Sequence, residues 1–315
     1  MIAAGGISLV AWPEHAPWLV LAGLALAAPA LVHAWKESGG TALRASVTWA
    51  AIAIGLGVIT ECLALFEPVQ SGRPVTGHVA YLCCLAALAA LISVLNARVP
   101  GGGAWAILMA LLVVVFLIPW LEGPGFGRVG NGLARLQLGN PWTIFFGVLV
   151  FAGVTNYLPT RHGTAAACVA VGFVLEYLAL TRWIKTPRGL ATVWAAVPWT
   201  LAAAAAMVPG KEPSRESPTR EFDLLWLWFR DHWGAVWGLR VLERFNRTAT
   251  SLDWPMKLHW EGLQDTSGQV VRGGFDGPPR EDALAVLTSL LRRFATSERL
   301  GRASGVVEVP PLPRP

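Results

Sequence analysis

Long apolar runs recur through the first two thirds of the chain, and they constrain its fold more than any other feature. Each run is about 20 residues long, the length that a helix needs to cross a bilayer core of about 30 Å. A lone apolar strand would leave its backbone unpaired in lipid, so these runs are predicted to be helices. The predicted spans are Ala16–Trp35, Leu43–Phe66, Gly77–Ala97, Gly103–Leu121, Pro141–Leu158, Thr164–Trp183 and Gly189–Val208.

The composition agrees with a membrane protein. Hydrophobic residues make up 54% of the chain and charged residues 14%, whereas a soluble domain carries about a quarter charged residues. Several of the 16 Trp stand at the ends of the predicted spans, as Trp18, Trp35 and Trp183 do. An indole ring favours the boundary between membrane and water. We therefore predict an all-α polytopic bundle of about seven transmembrane helices in residues 1–208.

The last third of the chain predicts a small α+β tail, soluble or lying on the membrane surface. Residues 209–218 are rich in Pro, Ser and charge and are typical of a linker. Residues 219–303 carry the patterns of helix and strand, so they are predicted to be the C-terminal domain. Residues 304–315 are predicted to be disordered.

Four segments of the tail have periodic patterns. Arg220–Thr250 carries an apolar stripe at helical spacing, with Thr219 as a possible N-cap. Met256–Trp260 alternates apolar with polar residues, as a strand does. A turn after it is expected to bring back a second short strand at Gln269–Arg272, and a last helix is predicted from about Arg280 to Arg299.

Loop charges do not decide the orientation in the membrane. We call the side of the N-terminus side B and the other side A, so that seven spans put the tail on side A. Short-loop Lys and Arg mark the cytoplasm, but the two sides carry nearly equal numbers. Residues 1–17 contain no Lys or Arg and would cross easily, and the charged tail without cysteine suits the cytoplasm. Abundant Ala, Gly and Arg suggest a bacterial chain, so we expect an inner-membrane protein with a cytoplasmic C-terminus.

Glu61 and Glu176 are the two carboxylates that lie clearly within predicted spans, where a charge calls for a functional explanation. Seven-span topology puts both at roughly 8–11 Å below the side-B surface, and His78 begins a span on the same side. These three residues form a candidate ion or proton site, because close carboxylates share a proton. Alternatively, each Glu reaches the boundary or pairs with a loop arginine such as Arg73 or Arg182.

The aromatic stripe of the first tail helix has two interpretations. It can form the core of the tail, or it can lie among lipid headgroups with its arginines on the phosphates. We expect a mixture of the two. The residues predicted to contact the membrane surface are Trp226, Trp233, Trp237, Arg240 and Arg244.

No catalytic, metal or cofactor pattern is evident in the sequence. His33 and His78 fall on opposite membrane sides, so they cannot hold one haem, and no cofactor is predicted. No lysine-rich arm indicates nucleic acid. The segments Asn156–Arg161 and Trp237–Arg240 look like motifs, but no activity follows from them.

The leading prediction for function is a non-catalytic membrane anchor or scaffold whose tail binds a protein partner. Two alternatives stay open. One is a small-ion or proton-coupled transporter or channel that uses Glu61 and Glu176. The other is a membrane enzyme that acts on a lipid-soluble substrate.

Overall fold

The computed structural model describes residues 16–66, 75–95, 97, 103–122, 140–180, 188–209, 213, 219–265 and 278–305. Within them, one helix occupies each of the seven apolar runs. These helices are α1 (Ala16–Glu37), α2 (Arg44–Phe66), α3 (Val75–Leu95), α4 (Gly103–Glu122), α5 (Asn140–Thr155), α6 (Gly163–Leu180) and α7 (Arg188–Ala206).

Three stretches of these helices are long and apolar enough to cross a membrane: Pro17–Glu37, Arg44–Leu63 and His78–Leu95. Other apolar stretches among the described residues are shorter. Many large apolar side chains on the helices point away from the protein, such as Ile107, which is 72% exposed, and Phe151, which is 70% exposed. The predicted helical membrane class is thus supported, while the number of seven spans stays a prediction.

Neighbouring helices form a closed cycle of contacts. Helix α1 packs on α2, α2 on α3, α3 on α5, α5 on α6, α6 on α7, and α7 returns to α1. Helix α3 supplies half of the described buried residues in the core of these helices, among them Tyr81 and Leu88, which are almost fully buried. The Tyr81 hydroxyl donates to the Phe116 carbonyl oxygen of α4 at 2.7 Å.

Helices α2 and α3 form an antiparallel pair with a defined register. Near one end, the Ser93 hydroxyl donates to Ser46 Oγ at 2.7 Å. Further along, the Cys83 thiol donates to the Ala53 carbonyl oxygen at 3.2 Å. A Cβ on Gly57 would lie 3.7 Å from Cys83 Sγ, so the two backbones are close there. This register decides which residues of α2 and α3 share a depth.

The tail folds around the predicted aromatic stripe. Trp226, Phe229, Trp233 and Phe245 are completely buried in a core that also takes residues from every other element of the tail. The elements are α8 (Arg220–Ser251), β1 (Met256–His259), β2 (Gly262–Asp265), α9 (Pro278–Leu291) and α10 (Ser297–Ser304). Most of the predicted linker 209–218 and of the predicted disordered end 304–315 lies outside the described residues.

The β-hairpin is tighter than predicted. Strand β2 follows β1 after only two residues, with His259 paired to Gly262, and Gly262 has a φ of +136°, which suits glycine. The predicted partner strand, Gln269–Arg272, lies outside the described residues. A two-residue connection is a common hairpin geometry, so the sequence prediction put the turn too late.

The last predicted helix is divided into two. Between α9 and α10 the backbone pairs with the turn between α1 and α2: the Ala42 amide donates to the Phe294 carbonyl oxygen at 2.9 Å, and the Thr296 amide donates to that of Gly40 at 2.9 Å. Thr296 then caps α10 by accepting from the Arg299 amide at 3.4 Å. The predicted helix is interrupted here because the Phe294 carbonyl and the Thr296 amide pair with this turn and are not available for helical hydrogen bonds.

Candidate functional site

The tail and the membrane helices share one hydrophobic core. The buried cluster that holds the aromatic residues of α8 also contains Leu43 just before α2, Val94 in the last turn of α3 and Ala97 just after α3. Tyr157, which follows α5, packs against this cluster. All of these segments fall on side A in the predicted seven-span topology. The tail is therefore docked on one set of helix ends, and this docking surface is the most elaborate polar site among the described residues.

Two tryptophans of α8 cap the end of α3. The Trp233 indole donates to the Ala97 carbonyl oxygen at 2.9 Å. The Trp237 indole lies between the carbonyl oxygens of Val94, at 3.3 Å, and Leu95, at 3.1 Å. The last carbonyl groups of a helix have no partner within the helix. The Trp237 indole satisfies such groups, and the Trp233 indole satisfies the Ala97 carbonyl oxygen just beyond the helix, so both rings belong to the docking surface.

Helix α8 is broken at Gly234, and the α5–α6 loop fills the break. Gly234 has φ 76° and ψ −167°. The Asn156 carbonyl oxygen accepts from the Ala235 amide at 2.7 Å, and its side-chain oxygen accepts from the Val236 amide at 2.8 Å. The Asn156 amide group donates to the Trp233 carbonyl oxygen at 3.1 Å. One residue thus satisfies the backbone groups that the break leaves without helical partners.

The adjacent residues extend this clasp. The Tyr157 hydroxyl donates to the His232 carbonyl oxygen at 2.9 Å. His232 Nδ1 lies 2.7 Å from the Trp228 carbonyl oxygen, so Nδ1 carries the proton and donates it. Burial lowers the pKa of His232 to about 4, although that hydrogen bond acts in the opposite direction. His232 is therefore neutral at pH 7.

A charged network closes one side of the docking surface. Arg230 donates from Nε, at 2.9 Å, and from Nη2, at 2.8 Å, to Asp231 Oδ1. The Arg161 Nε lies 3.6 Å from Asp231 Oδ2, which joins the α5–α6 loop to α8. Arg230 Nη1 donates to the Trp260 carbonyl oxygen at 2.8 Å, and the Trp260 indole donates to that of Pro159 at 2.7 Å. The buried charges are thus paired and hydrogen-bonded, as burial requires.

A cleft of about 330 Å³ lies between α8 and α9, beside the docked face. Four arginines and one glutamate supply its charged residues. The Arg240 guanidinium lies 4.9 Å from the centre of the Trp237 ring, and Arg247 Nη2 is 2.8 Å from Glu243 Oε1. The lining residues are Trp237, Arg240, Val241, Glu243, Arg244, Arg247, Leu290, Arg293 and Phe294. We call this the arginine cleft.

The structure distributes the predicted membrane-surface residues between two environments. Trp226 and Trp233 are 0% exposed, so in this structure their rings contact protein and not lipid. Trp237 is also buried, but it lines the arginine cleft with Arg240 and Arg244, both of which are exposed. Trp226 and Trp233 therefore lie in the core of the tail, as the first interpretation of the stripe has it. Trp237, Arg240 and Arg244 lie together in the arginine cleft.

The candidate ion site is described in part. Glu61 on α2 is 5% exposed, and His78 on α3 is half-buried. Since Gly57 faces Cys83 in the antiparallel pair, one helical turn further along α2 brings Glu61 level with His78. The side chain of Glu176, on α6, lies outside what the structure describes. Helix α6 packs mainly on α5 and α7, whereas α2 packs on α1 and α3.

Sequence reasoning missed Asn156, Gly234 and Asp231 as a joint site. The segment Asn156–Arg161 stood out as a possible motif, and a glycine inside a helical pattern is a known breaker, but no signal linked two segments so far apart in the chain. The chain matches no protein family, no curated protein and no solved structure. Among the described residues, no group of three or more His, Cys, Asp and Glu is arranged to hold a metal ion.

Proposed function

We propose that the chain is a seven-span bacterial inner-membrane protein that acts as a non-catalytic scaffold and holds its cytoplasmic tail in a fixed position to bind a protein partner. The observation that carries the proposal is the clasp of Asn156 on the broken helix α8 at Gly234. A tail on a flexible tether would not need a helix interrupted to fit a membrane loop.

The cost of releasing the tail supports a permanent attachment. Undocking would expose the Trp233 and Trp237 rings and remove the partners of several backbone groups. Each buried polar group left without a partner costs about 1–3 kcal/mol. The contacts of the tail with loops that share side A also support the seven-span topology, because a tail on side B would not reach those loops.

A site-specific photocrosslinker at exposed positions of the tail tests the scaffold proposal in cells. Lys257 on β1 and Asp282 on α9 are suitable, since both side chains are exposed. We expect one partner protein to be crosslinked reproducibly at one of these positions. In the reciprocal experiment, purification of that partner through its own affinity tag should recover the crosslinked scaffold. The crosslink should be lost in Gly234→Ala, which displaces the tail, and kept in Gly147→Ala, where an added methyl group meets none of the described residues within 4 Å.

The absence of any reciprocal crosslink from either position would overturn the scaffold proposal. Equal crosslinking in Gly234→Ala and the native protein would overturn the need for a fixed tail.

The orientation of the protein in the membrane has its own test. A reporter enzyme that is active only in the cytoplasm should be active when it is fused to the C-terminus. Activity from a periplasmic reporter alone would contradict the proposed topology.

Proton or ion transport is a second candidate, and the shared depth of Glu61 and His78 on adjacent helices favours it. A buried carboxylate at the same depth as an imidazole is a candidate proton relay within a membrane. Proteoliposomes loaded with a pH-sensitive dye should show a flux that Glu61→Gln and Glu176→Gln each reduce. Glu281→Gln, on the exposed start of α9, is the control. Unchanged flux in both Glu61→Gln and Glu176→Gln would remove the transport candidate. The described residues add no support for the membrane-enzyme alternative.

A further inference from the structure

We propose that the arginine cleft binds the phosphate group of an anionic membrane lipid. The inference deepens the proposed function, because it rests on the placement of the tail at the membrane surface. It goes beyond that function in assigning a ligand class to a defined cavity. The arguments are the chemistry of the cleft, its depth relative to the helix ends, and the apolar residues beside it.

The chemistry of the cleft suits a phosphate diester or monoester. Arg240, Arg244, Arg247 and Arg293 line one cavity, whereas Glu243 is the single acidic residue among its described lining residues and is already paired with Arg247. A guanidinium group presents several donors in a planar fork that matches the oxygens of a phosphate. A cavity of about 330 Å³ has room for a headgroup phosphate with its neighbouring glycerol atoms. The four guanidinium groups around the cleft repel one another, and a bound anion would reduce this repulsion.

The cleft lies at the level where the membrane helices end. Trp237 forms its wall and donates to the carbonyl oxygens of Val94 and Leu95. These residues end the apolar stretch His78–Leu95, which is long enough to cross a membrane. Phe294, on the opposite wall, pairs its carbonyl oxygen with Ala42 in the turn between α1 and α2. Lipid headgroups occupy this depth, so an anionic lipid can reach the arginines from the side.

Two exposed apolar residues favour a lipid over a soluble anion. Leu239 is 55% exposed, and Val236 is also exposed on the same length of α8. Val236 precedes Arg240 by about one helical turn, and Leu239 is the residue directly before Arg240. Apolar side chains next to cationic ones are typical of a helix that lies in the headgroup region, where apolar groups enter the acyl boundary and cations meet phosphate. A purely aqueous phosphate site would not need them.

Native mass spectrometry and thermal unfolding of the full chain in lipid nanodiscs test the proposal. The nanodiscs contain phosphatidylcholine with or without phosphatidylglycerol. We expect phosphatidylglycerol to form a retained adduct and to raise the unfolding temperature. The double variant Arg240→Gln, Arg244→Gln should weaken the adduct by about thirtyfold, since each arginine near the surface contributes about one kilocalorie per mole toward anionic lipid.

A matched double variant controls for net charge. Arg292→Gln with Arg302→Gln removes two exposed arginines that do not line the cleft, and it should keep the adduct. Both double variants should unfold at the native temperature in phosphatidylcholine alone, which excludes a folding defect. Equal adduct loss in the two variants, or no preference for phosphatidylglycerol, would overturn the proposal.

Inorganic phosphate and an acidic peptide, each added to phosphatidylcholine nanodiscs, identify other occupants. Either compound could raise the unfolding temperature of the native protein but not of the Arg240→Gln, Arg244→Gln variant. That result, without a phosphatidylglycerol adduct, would overturn the lipid assignment. The experiment is independent of the scaffold test, because it uses the purified protein without a partner. Conversely, the absence of any reciprocal crosslink in cells, together with a normal phosphatidylglycerol adduct of the purified protein, would count only against the scaffold.

Discussion

At the scale of single residues, the contact between Gly234 and Asn156 decides whether the tail can dock. A Cβ on Gly234 would lie 2.3 Å from Asn156 Nδ2, and the φ of +76° disfavours any other residue. Relaxing this clash would break the hydrogen bonds to Trp233 and Val236. Glycine is therefore required for both its conformation and its missing side chain.

We predict that Gly234→Ala lowers the free energy of unfolding of the tail by about 3 kcal/mol or more, from backbone strain and lost hydrogen bonds together. Thermal unfolding in detergent, followed by intrinsic Trp fluorescence, measures the change. The added methyl group in Gly147→Ala, on α5, meets no described residue within 4 Å, so this variant should leave the transition in place. Equal transitions for the two variants would contradict the role assigned to Gly234.

The sequence supports part of this residue-scale site. The stripe that contains Trp226, Phe229 and Trp233 has helical spacing, and the structure buries all three rings. The break at Gly234 could not be predicted, because its cause lies in Asn156, 78 positions earlier in the chain. Local patterns report local structure, whereas this glycine responds to a contact between distant segments.

At the scale of elements, the first half of α8 carries a histidine, His232, whose pKa is lowered by burial. His232 is surrounded by the Trp228 and Trp233 rings, and Arg161, His162 and Glu37 are the charged or titratable groups that act on it. Its pKa falls from 6.5 to about 4 on folding because the ring is buried. Between these values the unfolded chain binds more protons than the folded one, so stability falls as the pH falls.

We predict that the unfolding temperature of the tail drops when the pH is lowered from about 6.5 to 4, with a loss of roughly 3 kcal/mol at most. His232→Asn keeps a donor for the Trp228 carbonyl oxygen and should reduce this dependence. Asp223 has the opposite effect on stability near the low end of this pH range. Burial raises its pKa despite hydrogen bonds from Thr219 and Leu263, so the folded chain binds more protons there and stability rises as the pH falls. His259→Asn, on the exposed face of β1, should retain the native pH profile; an identical profile for His232→Asn would count against the assignment.

The hairpin of the tail is held at both edges by side chains of α8. Asn246 accepts from the Leu258 amide at 2.7 Å and donates to its carbonyl oxygen at 2.8 Å, as a neighbouring strand would. On the other strand, Asp223 accepts from the Leu263 amide at 3.1 Å. A two-stranded sheet is marginal alone, so these contacts explain why so short a hairpin persists.

We predict that Asn246→Ala costs about 1–3 kcal/mol, because it leaves two backbone groups of Leu258 without their partner. Hydrogen exchange measured by mass spectrometry should show faster exchange in β1 than in the native protein. Ser251→Ala, in the exposed last turn of α8, is the control and should exchange as the native protein does. Unchanged protection of β1 in Asn246→Ala would show that the edge contact is dispensable.

The elements were predictable in kind but not in every boundary. The alternation in Met256–Trp260 predicted β1 correctly, while the partner strand was misplaced because no strong turn residue marks the connection at Trp260 and Glu261. The last helix was predicted as continuous, since its apolar pattern does not reveal that Phe294 and Thr296 pair with the α1–α2 turn. In both cases tertiary contacts override the local pattern.

At the scale of the whole molecule, the tail and the membrane helices complete each other. Trp233 and Trp237 cap the end of α3, while Arg299 forms an ion pair with Glu37 at the end of α1. The apolar runs of the sequence predicted the membrane class, because run length and composition are local properties. The docking of the tail was not predictable, because it depends on the surface that three separate loops make together.

The dependence of the tail on this surface leads to a prediction for the isolated domain. A fragment of residues 219–315 lacks the partners of α8 on α3 and on the α5–α6 loop, and it would expose the Trp233 and Trp237 rings together with the backbone groups at Gly234. We expect it to unfold without a cooperative transition or to aggregate, and to be cut rapidly by protease at its exposed aromatic residues. Coexpression with residues 1–209 should restore protection, since the docking contacts need no covalent link. A fragment that unfolds cooperatively at the temperature of the full chain would show that the tail is an independent domain, and the rigid attachment on which the scaffold proposal depends would lose its physical basis.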